Sequence, residues 1–262
     1  MMKSKVLAKL RSGEFARICA TGHFLPFFIR YAAHYRFDGI WLDLEHRTMD
    51  EREVQAFIAA CRHNDIDCMV RPKTMQRSEL YHYLEDGAAG FMIPFVSTAE
   101  IARDVVNATK FPPLGNRGVD GAGLDGDYGI EVWKPDTTYF EDANRETFIV
   151  AQIETPEAVR NIEEIAAVPG IDLLFVGPAD LGRRLAVADG PDRISLAESV
   201  KRVADAAQRH GKAWGKTAGS VQELEAARRM GAQMVPWGGD FALVGVLRKC
   251  SEELDGLLLQ ST

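Results

Sequence analysis

The stretch from 150 to 182 constrains the fold of this 262-residue chain more than any other. Its sequence, VAQIETPEAVRNIEEIAAVPGIDLLFVGPADLG, predicts a strand, a helix, a second strand and a turn. Thr155 is expected to cap the helix and Pro156 to open it. Two short apolar strands joined by a helix are expected to lie parallel in one sheet.

Acidic side chains end both strands of this unit: Glu154 ends the first and Asp180 follows the second. In parallel α/β proteins, ligands bind at the carboxyl ends of the strands. Two carboxylates at that edge predict a divalent metal with oxygen ligands, with coordination positions left for water and substrate.

Apolar runs of this kind recur along the whole chain and alternate with amphipathic segments. Eight alternating units predict a (β/α)8 TIM barrel that spans residues 1–262 as a single domain. A doubly wound open sheet is the second possibility. The predicted strands are ARICATG (16–22), GIWLDLEH (39–46), DCMVRP (67–72), GFMIPFV (90–96), FIVAQIE (148–154), IDLLFVG (171–177), KAWGKTA (212–218) and QMVPWGG (233–239).

Three capping boxes predict helix starts between these strands. They are Thr48 with Glu51, Ser97 with Glu100, and Ser220 with Glu223. Two segments depart from the repeat. The long Gly- and Asp-rich stretch 111–145 is expected to hang over the catalytic face. The apolar C-terminal helix is expected to pack either on its own barrel or on a neighbouring subunit.

Composition excludes several classes of partner. The net charge is −7 and no basic patch is visible, which argues against nucleic acid and anionic membrane surfaces. No apolar run is long enough to span a membrane, and the N-terminus lacks a signal-peptide pattern. The four cysteines match no zinc motif and are expected to be reduced, which indicates a cytoplasmic protein.

Further polar residues end other predicted strands: Asp43, Glu45 and His46 end strand 2, and Arg71 ends strand 3. Each has an ordinary structural explanation, such as a helix cap or an ion pair of Arg71 with Asp43 or Glu45. Convergence on one edge favours function instead. A metal, a guanidinium and an imidazole together can stabilise the enolate of a 2-oxo acid and move its proton.

Several motifs resemble the HpcH/HpaI family of class II, metal-dependent aldolases. They are LDLEH (42–46), VRP (70–72), DGAAGFMIPFV (86–96), PPLGNRG (112–118), AQIETPEAVRNIEEIAAVPGID (151–172) and FVGPADLG (175–182). The resemblance implies a barrel, assembled as a hexamer of three dimers with the last helix swapped between paired subunits. It also implies reversible cleavage of a 4-hydroxy-2-oxo acid into pyruvate, or a close analogue, and an aldehyde.

The resemblance assigns roles to individual residues. Glu154 and Asp180 resemble the ligands of Mg2+, Mn2+ or Co2+. Arg71 resembles the residue on the keto oxygen, and His46 the acid–base group. The other implied site residues are Glu85 or Asp43 to orient His46, and Gln152 beside the metal. The helix start at Gly177, Pro178 and Ala179 is expected to bind the substrate carboxylate through backbone N–H groups. Trp237 ends strand 8 where relatives tend to have a smaller residue, and it is expected to lie beside the aldehyde.

Departures from the family pattern all concern the aldehyde half of the substrate. The stretch VDGAGLDGDYG (119–129) carries extra acids and no arginine, so Asp125 and Asp127 are expected to disfavour an anionic aldehyde. Gly182 with Arg183 and Arg184 replaces the usual serine segment. Two other functions stay open: a CoA-ester lyase of the citrate lyase β or malyl-CoA type, and a barrel that binds a 2-oxo acid without turnover.

Overall fold

The computed structural model describes residues 3–259, and seven parallel strands form its central sheet. The strands follow one another in chain order, and the sheet curls around an apolar interior. Each strand pairs with the next along the chain, as expected when every connection is a right-handed crossover. The strands are β1 Ile18–Thr21, β2 Gly39–Asp43, β3 Asp67–Arg71, β4 Gly90–Ile93, β5 Phe148–Ile153, β6 Leu173–Val176 and β7 Ala213–Lys216.

Helices connect the strands and cover the outer face of the sheet. They are α1 Lys5–Arg11, α2 Pro26–His34, α3 Glu51–His63, α4 Arg77–Glu85, α5 Ala99–Thr109, α6 Tyr139–Glu146, α7 Pro156–Arg160, α8 Ile162–Ala166, α9 Pro178–Leu185, α10 Leu196–Arg209, α11 Val221–Arg229 and α12 Ala242–Leu259. Short 3-10 turns lie at Leu124–Gly129 and Gly190–Asp192.

Alternation along the strands divides the core into two clusters. Side chains of one parity fill the interior, where the rings of Trp41 and Phe175 meet edge to face at 5.8 Å. Side chains of the other parity, such as Leu42 and Leu174, pack against the helices. Successive strand residues point to opposite faces, so one short run supplies both clusters.

Segment 233–239, predicted as an eighth strand, forms isolated bridges rather than a regular strand. Met234 bridges to Ala16 and to Gly215, which lies in β7. Farther along, Gly239 bridges to Ala20 in β1. The segment therefore contacts both edges of the sheet, and seven of the eight predicted strands are regular strands.

The long segment 111–145 lies at the amino edge of the sheet, so its predicted place over the catalytic face is wrong. It follows α5 and leads into the start of β5, and such connections lie opposite the carboxyl ends of the strands. Within the segment, a buried ion pair joins Arg117 and Asp125 at 2.7 Å. The hydroxyl of Tyr139 also donates to Asp125 at 2.5 Å.

This placement also corrects the expected effect of the loop acids on the substrate. Asp125 is buried and neutralised by Arg117. Asp127 is exposed, but it lies in the same segment at the amino edge. Neither acid is in a position to repel an anionic aldehyde at the carboxyl edge.

Some of the predicted helix caps are observed and others are not. Thr155 and Ser220 cap α7 and α11 as predicted. The predicted Thr48 box is wrong, because Asp50 caps α3 and forms a capping box with Glu53. Thr98 rather than Ser97 caps α5, since the Ser97 hydroxyl is hydrogen-bonded to Thr155 at 2.9 Å.

Helix α12 exposes much of its apolar surface. Leu243, Leu247 and Leu254 are each more than half exposed. Cys250 on this helix is an exposed free cysteine, whereas Cys19, Cys61 and Cys68 are buried and free. Within residues 3–259, no helix combines the length and apolar character needed to cross a membrane.

Candidate active site

Polar side chains at the carboxyl edge come from neighbouring strands in register. Asp43 at the end of β2 pairs with Arg71 at the end of β3. On the other side, Ile153 pairs with Val176, which places Glu154 beside Gly177. The convergence expected from the strand ends is therefore present in the structure.

Arg71 is buried and held by two acids and a ring. Its Nε and Nη2 donate to the two Asp43 oxygens at 2.9 and 2.8 Å, and its Nη1 lies 3.1 Å from Glu45 Oε2. Its guanidinium also stacks on Trp41 at 4.8 Å. Because a guanidinium carries five N–H donors and these contacts use three, two remain for a substrate oxygen.

Asp43 holds the guanidinium and the following turn. It accepts the backbone N–H groups of Glu45 and His46 at 3.1 and 3.3 Å. Burial opposes its charge, but the hydrogen bonds and charge of Arg71 outweigh burial and lower the pKa of Asp43. Asp43 is therefore a charged carboxylate in a fixed position, and it holds Arg71 in place.

The His46 ring is more than half exposed, and Glu45 is the acid beside it, with Nε2 3.6 Å from Oε2. Neither acid predicted to orient this ring contacts it within residues 3–259. Asp43 binds Arg71, and Glu85 at the far end of α4 lies 4.0 Å from His82. Glu45 is a site residue that the sequence suggested only as a structural partner of Arg71.

Glu154 is buried at the centre of the edge. Gln152 Nε2 donates to its Oε1 at 2.6 Å, and the backbone N–H of Phe95 donates to its Oε2 at 3.3 Å. Burial first, and then the Asp180 and Glu45 carboxylates, raise its pKa to about 7. Gly177 is required beside it, because a Cβ there would lie 2.3 Å from Glu154 Oε1.

Arg184, which the sequence indicated only as part of a departure from the family pattern, connects Asp180 to Phe95. Its Nη1 lies 2.6 Å from Asp180 Oδ1, and its guanidinium lies over the Phe95 ring at 4.9 Å. Phe95 has a φ of 52°, a left-handed conformation that is uncommon for a bulky residue. The spacing of four residues from Asp180 on one helix was the available signal.

The acids at this edge fit a divalent cation. Without a cation, Glu154 is a buried carboxylate near two others, which is electrostatically unfavourable. Gln152 Oε1 is also buried without a hydrogen-bond partner and is available to a cation. Within the described residues, no group of three His, Cys, Asp or Glu side chains could hold a metal, so water and substrate would complete the coordination.

The remaining predicted site residues border this edge. Gly177 is the N-cap of α9, and Pro178 and Ala179 lie in its first turn. The Gly177 N–H donates to the Ile153 carbonyl at 3.2 Å, so it is already used. Trp237 is 38% exposed, and its backbone N–H donates to Ile18 at 2.8 Å.

A groove of about 900 Å3 runs from the site along α3 and α4. Glu45, His46 and Arg47 line one end, and Glu85 and Asp86 line the other. Glu45 also borders a second cavity of about 620 Å3 beside Phe95. The site therefore has open space next to its charged residues.

A curled parallel sheet with acids, a guanidinium and an imidazole at its carboxyl edge is the architecture of an α/β enzyme. The sequence profile of the HpcH/HpaI aldolase/citrate lyase family matches residues 23–245. The chain belongs to this family.

Relatives of known structure or name agree with that assignment. The 2-keto-3-deoxy-L-rhamnonate aldolase of Klebsiella pneumoniae is 34% identical over 215 residues, 82% of this chain and 76% of the relative. An HpcH/HpaI aldolase from Desulfitobacterium hafniense superposes with a TM-score of 0.84 at 31% identity, over 97% of both chains.

A citrate lyase β subunit from Mycobacterium tuberculosis, solved with oxaloacetate and magnesium, shares only the fold. It superposes with a TM-score of 0.55 at 16% identity, over 87% of this chain and 92% of its own.

Proposed function

We propose that this protein is a metal-dependent aldolase that cleaves a 4-hydroxy-2-oxo acid into pyruvate, or a close analogue, and an aldehyde. The observation that carries the proposal is the convergence of two groups at the carboxyl edge: the buried Glu154, bound by Gln152, and Arg71, held by Asp43 and Glu45. The aldolase name of a relative at 34% identity supports the same reaction class.

Glu154 and Asp180 would hold the metal, with Gln152 beside it. A carboxylate site of this kind accepts Mg2+, Mn2+ or Co2+. When bound, the cation supplies a Lewis acid for the 2-oxo carbonyl. The magnesium in the citrate lyase β structure is consistent with this choice of ion.

The protein's own groups carry the remaining work. Loss of the C4 hydroxyl proton and cleavage of the C3–C4 bond release the aldehyde and leave negative charge on the C2 oxygen. The two free N–H groups of Arg71 stabilise that charge, and Asp43 and Glu45 hold Arg71 in place. His46 takes up and returns the proton, with Glu45 beside its ring.

The substrate carboxylate would lie at the start of α9. The N–H groups of Ala179 and Asp180 have no carbonyl partner within the helix, as in the first turn of any helix. Trp237 would border the aldehyde half. Glu85 cannot orient His46 from its position in a single chain, so that role would require a second copy or a rearranged groove.

The assembly is also a proposal. We infer a closed eight-stranded barrel, because segment 233–239 bridges to both sheet edges. The exposed apolar face of α12 supports packing on a neighbouring subunit within a hexamer of three dimers. Reduced cysteines support a cytoplasmic location.

Pyruvate release from a 2-keto-3-deoxy sugar acid tests this function. EDTA-stripped protein should be inactive, Mg2+ or Mn2+ should restore activity, and Glu154→Gln should be inactive with either ion. Full activity after metal removal would contradict the mechanism. Cleavage of malyl-CoA instead would favour a CoA-ester lyase, and pyruvate binding without turnover would favour a non-catalytic barrel.

A further inference from the structure

A group of residues near the proposed site has no part in the mechanism above. It consists of His23, Arg47 and Phe241, and we call it the rim patch. His23 follows β1, Arg47 follows His46, and Phe241 precedes α12. Loops after strands lie at the carboxyl edge, so the rim patch shares that edge with Arg71 and Glu154.

Asp240 fixes the orientation of His23. This carboxylate is 9% exposed and accepts the Thr21 hydroxyl, the Gly22 N–H and His23 Nδ1 on one oxygen, at 3.0, 2.9 and 2.6 Å. The His23 ring also lies 5.8 Å from the Phe241 ring. With Nδ1 bound and more than half of the side chain exposed, Nε2 is left for another partner.

Arg47 is held in place without any carboxylate partner among the described residues. Its guanidinium lies 4.8 Å from the Phe241 ring centroid, and its Nη1 donates to the His46 carbonyl at 2.7 Å. Its stem crosses Gly22 so closely that a Cβ there would lie 2.1 Å from Arg47 Cγ. Arg47 is half-buried as a residue, and its guanidinium keeps donors free beside His46.

Two other guanidinium groups at the carboxyl edge are already neutralised by carboxylates. Arg71 is paired with Asp43 and Glu45, and Arg184 is paired with Asp180. Arg47 is different because its contacts are a ring and a backbone carbonyl, which leave its charge uncompensated. A guanidinium of this kind binds a carboxylate through two parallel hydrogen bonds.

We propose that the rim patch binds a carboxylate at the far end of the aldehyde half, so that the protein prefers dicarboxylic 2-oxo acids. Arg47 forms the ion pair, His23 Nε2 adds a hydrogen bond, and the Phe241 ring covers the intervening carbons. The inference rests on the proposed aldolase function and adds to it a substrate class. It reverses the preference for a neutral aldehyde that Asp125 and Asp127 suggested.

Aldol addition of pyruvate to matched aldehydes tests the rim patch. The anionic probes are glyoxylate and succinic semialdehyde, and the neutral probes are glycolaldehyde and butanal. Arg47→Met should lower kcat/KM for at least one anionic probe by about 50-fold and leave both neutral probes within about twofold. His23→Phe should lower the same value by about fivefold. Arg52→Met, which removes another arginine lining the groove, is the matched control and should change neither class.

An equal loss of kcat/KM for anionic and neutral probes in Arg47→Met would contradict carboxylate binding by the rim patch. No loss of kcat/KM for either class would contradict it as well. Pyruvate proton exchange separates this failure from failure of the aldolase proposal, because it needs no aldehyde. If the aldolase proposal is right, proton exchange in Arg47→Met should equal that of wild type. If the aldolase proposal is wrong, exchange should be absent from wild type and from every variant. If Arg47→Met does not fold, Arg47→Lys should keep part of the anionic preference, and a complete loss with intact exchange would also overturn the rim patch.

Discussion

Two buried acids at opposite edges of the sheet look alike in isolation. Burial raises the pKa of Glu154, after β5, to about 7 and that of Asp67, at the start of β3, to about 6. Their surroundings differ. Asp180 and Glu45 add to the shift at Glu154, whereas Asp67 accepts the Ser4 hydroxyl and the Val6 N–H at 2.6 and 2.8 Å.

The two edges also differ in the size of the cavities beside their acids. A cavity of about 20 Å3, large enough for one water molecule, adjoins Asp67. At the other edge, Glu45 borders cavities of about 900 and 620 Å3. The comparison teaches that a raised pKa points to function where like charges converge beside open space. An enclosed acid with local donors, such as Asp67, fastens α1 to the sheet.

The largest effect is expected for Arg71→Lys. A lysine has a single nitrogen, so it cannot replace the planar fork that reaches both Asp43 oxygens and Glu45 while directing N–H groups at the substrate. We expect kcat/KM for retro-aldol cleavage to fall about 10³-fold while thermal stability changes little. Activity within threefold of wild type would show that the carboxyl edge does not depend on this guanidinium.

A substitution at the amino edge should lower stability and leave catalysis unchanged. Asp125→Asn leaves the buried Arg117 without its counter-charge, so we expect the free energy of unfolding to fall by about 3 kcal/mol. The kcat of the folded protein should be unchanged, because this pair lies at the other edge. Chemical denaturation and steady-state kinetics measure the two quantities. A loss of kcat in fully folded variant protein would contradict the separation.

The raised pKa of Asp67 predicts that the stability of the protein depends on pH. Its folded pKa of about 6 exceeds the ordinary 3.8, so the folded state binds the proton more tightly. Its contribution is therefore complete below pH 4 and is lost as pH rises to about 6. Asp67→Asn mimics the protonated acid. Its free energy of unfolding should therefore rise by about 2 kcal/mol relative to that of wild type as the pH increases from 4 to 7. A constant difference across that range would contradict the shift.

The smallest effect is expected for metal binding in Arg184→Met. Arg184 already neutralises Asp180, so it competes with a cation for this carboxylate. We expect Mn2+ to bind about fivefold more tightly, measured by calorimetry on metal-free protein. The neighbouring exposed Arg183 supplies the control, and Arg183→Met should leave the Kd unchanged. Weaker binding in Arg184→Met would show that the guanidinium positions Asp180 for the metal.

Short-range sequence patterns predicted the carboxyl edge well. Residues at strand ends must share an edge in a parallel sheet, so Asp43, Arg71 and Glu154 could be placed together before any geometry was known. The segment 111–145 was misplaced because its composition shows that it is a loop but not which edge it joins. That information lies in the order of α5 and β5.

Other features depend on tertiary contacts that no local pattern contains. The left-handed backbone of Phe95 aims its N–H at Glu154, and propensity alone would not place a phenylalanine there. Thr98 caps α5 in place of Ser97 because Ser97 contacts Thr155 from the next βα unit. Glu45 was ambiguous, since pairing with Arg71 serves both a structural and a functional role.

Exchange of the pyruvate methyl protons in D2O, followed by NMR with and without Mg2+, tests the central claim most directly. It requires no knowledge of the aldehyde. The proposed function predicts exchange that depends on Mg2+ in wild-type protein and is absent from folded Glu154→Gln. No exchange by folded wild-type protein with any divalent metal, or equal exchange by Glu154→Gln, would contradict enolate formation at this edge.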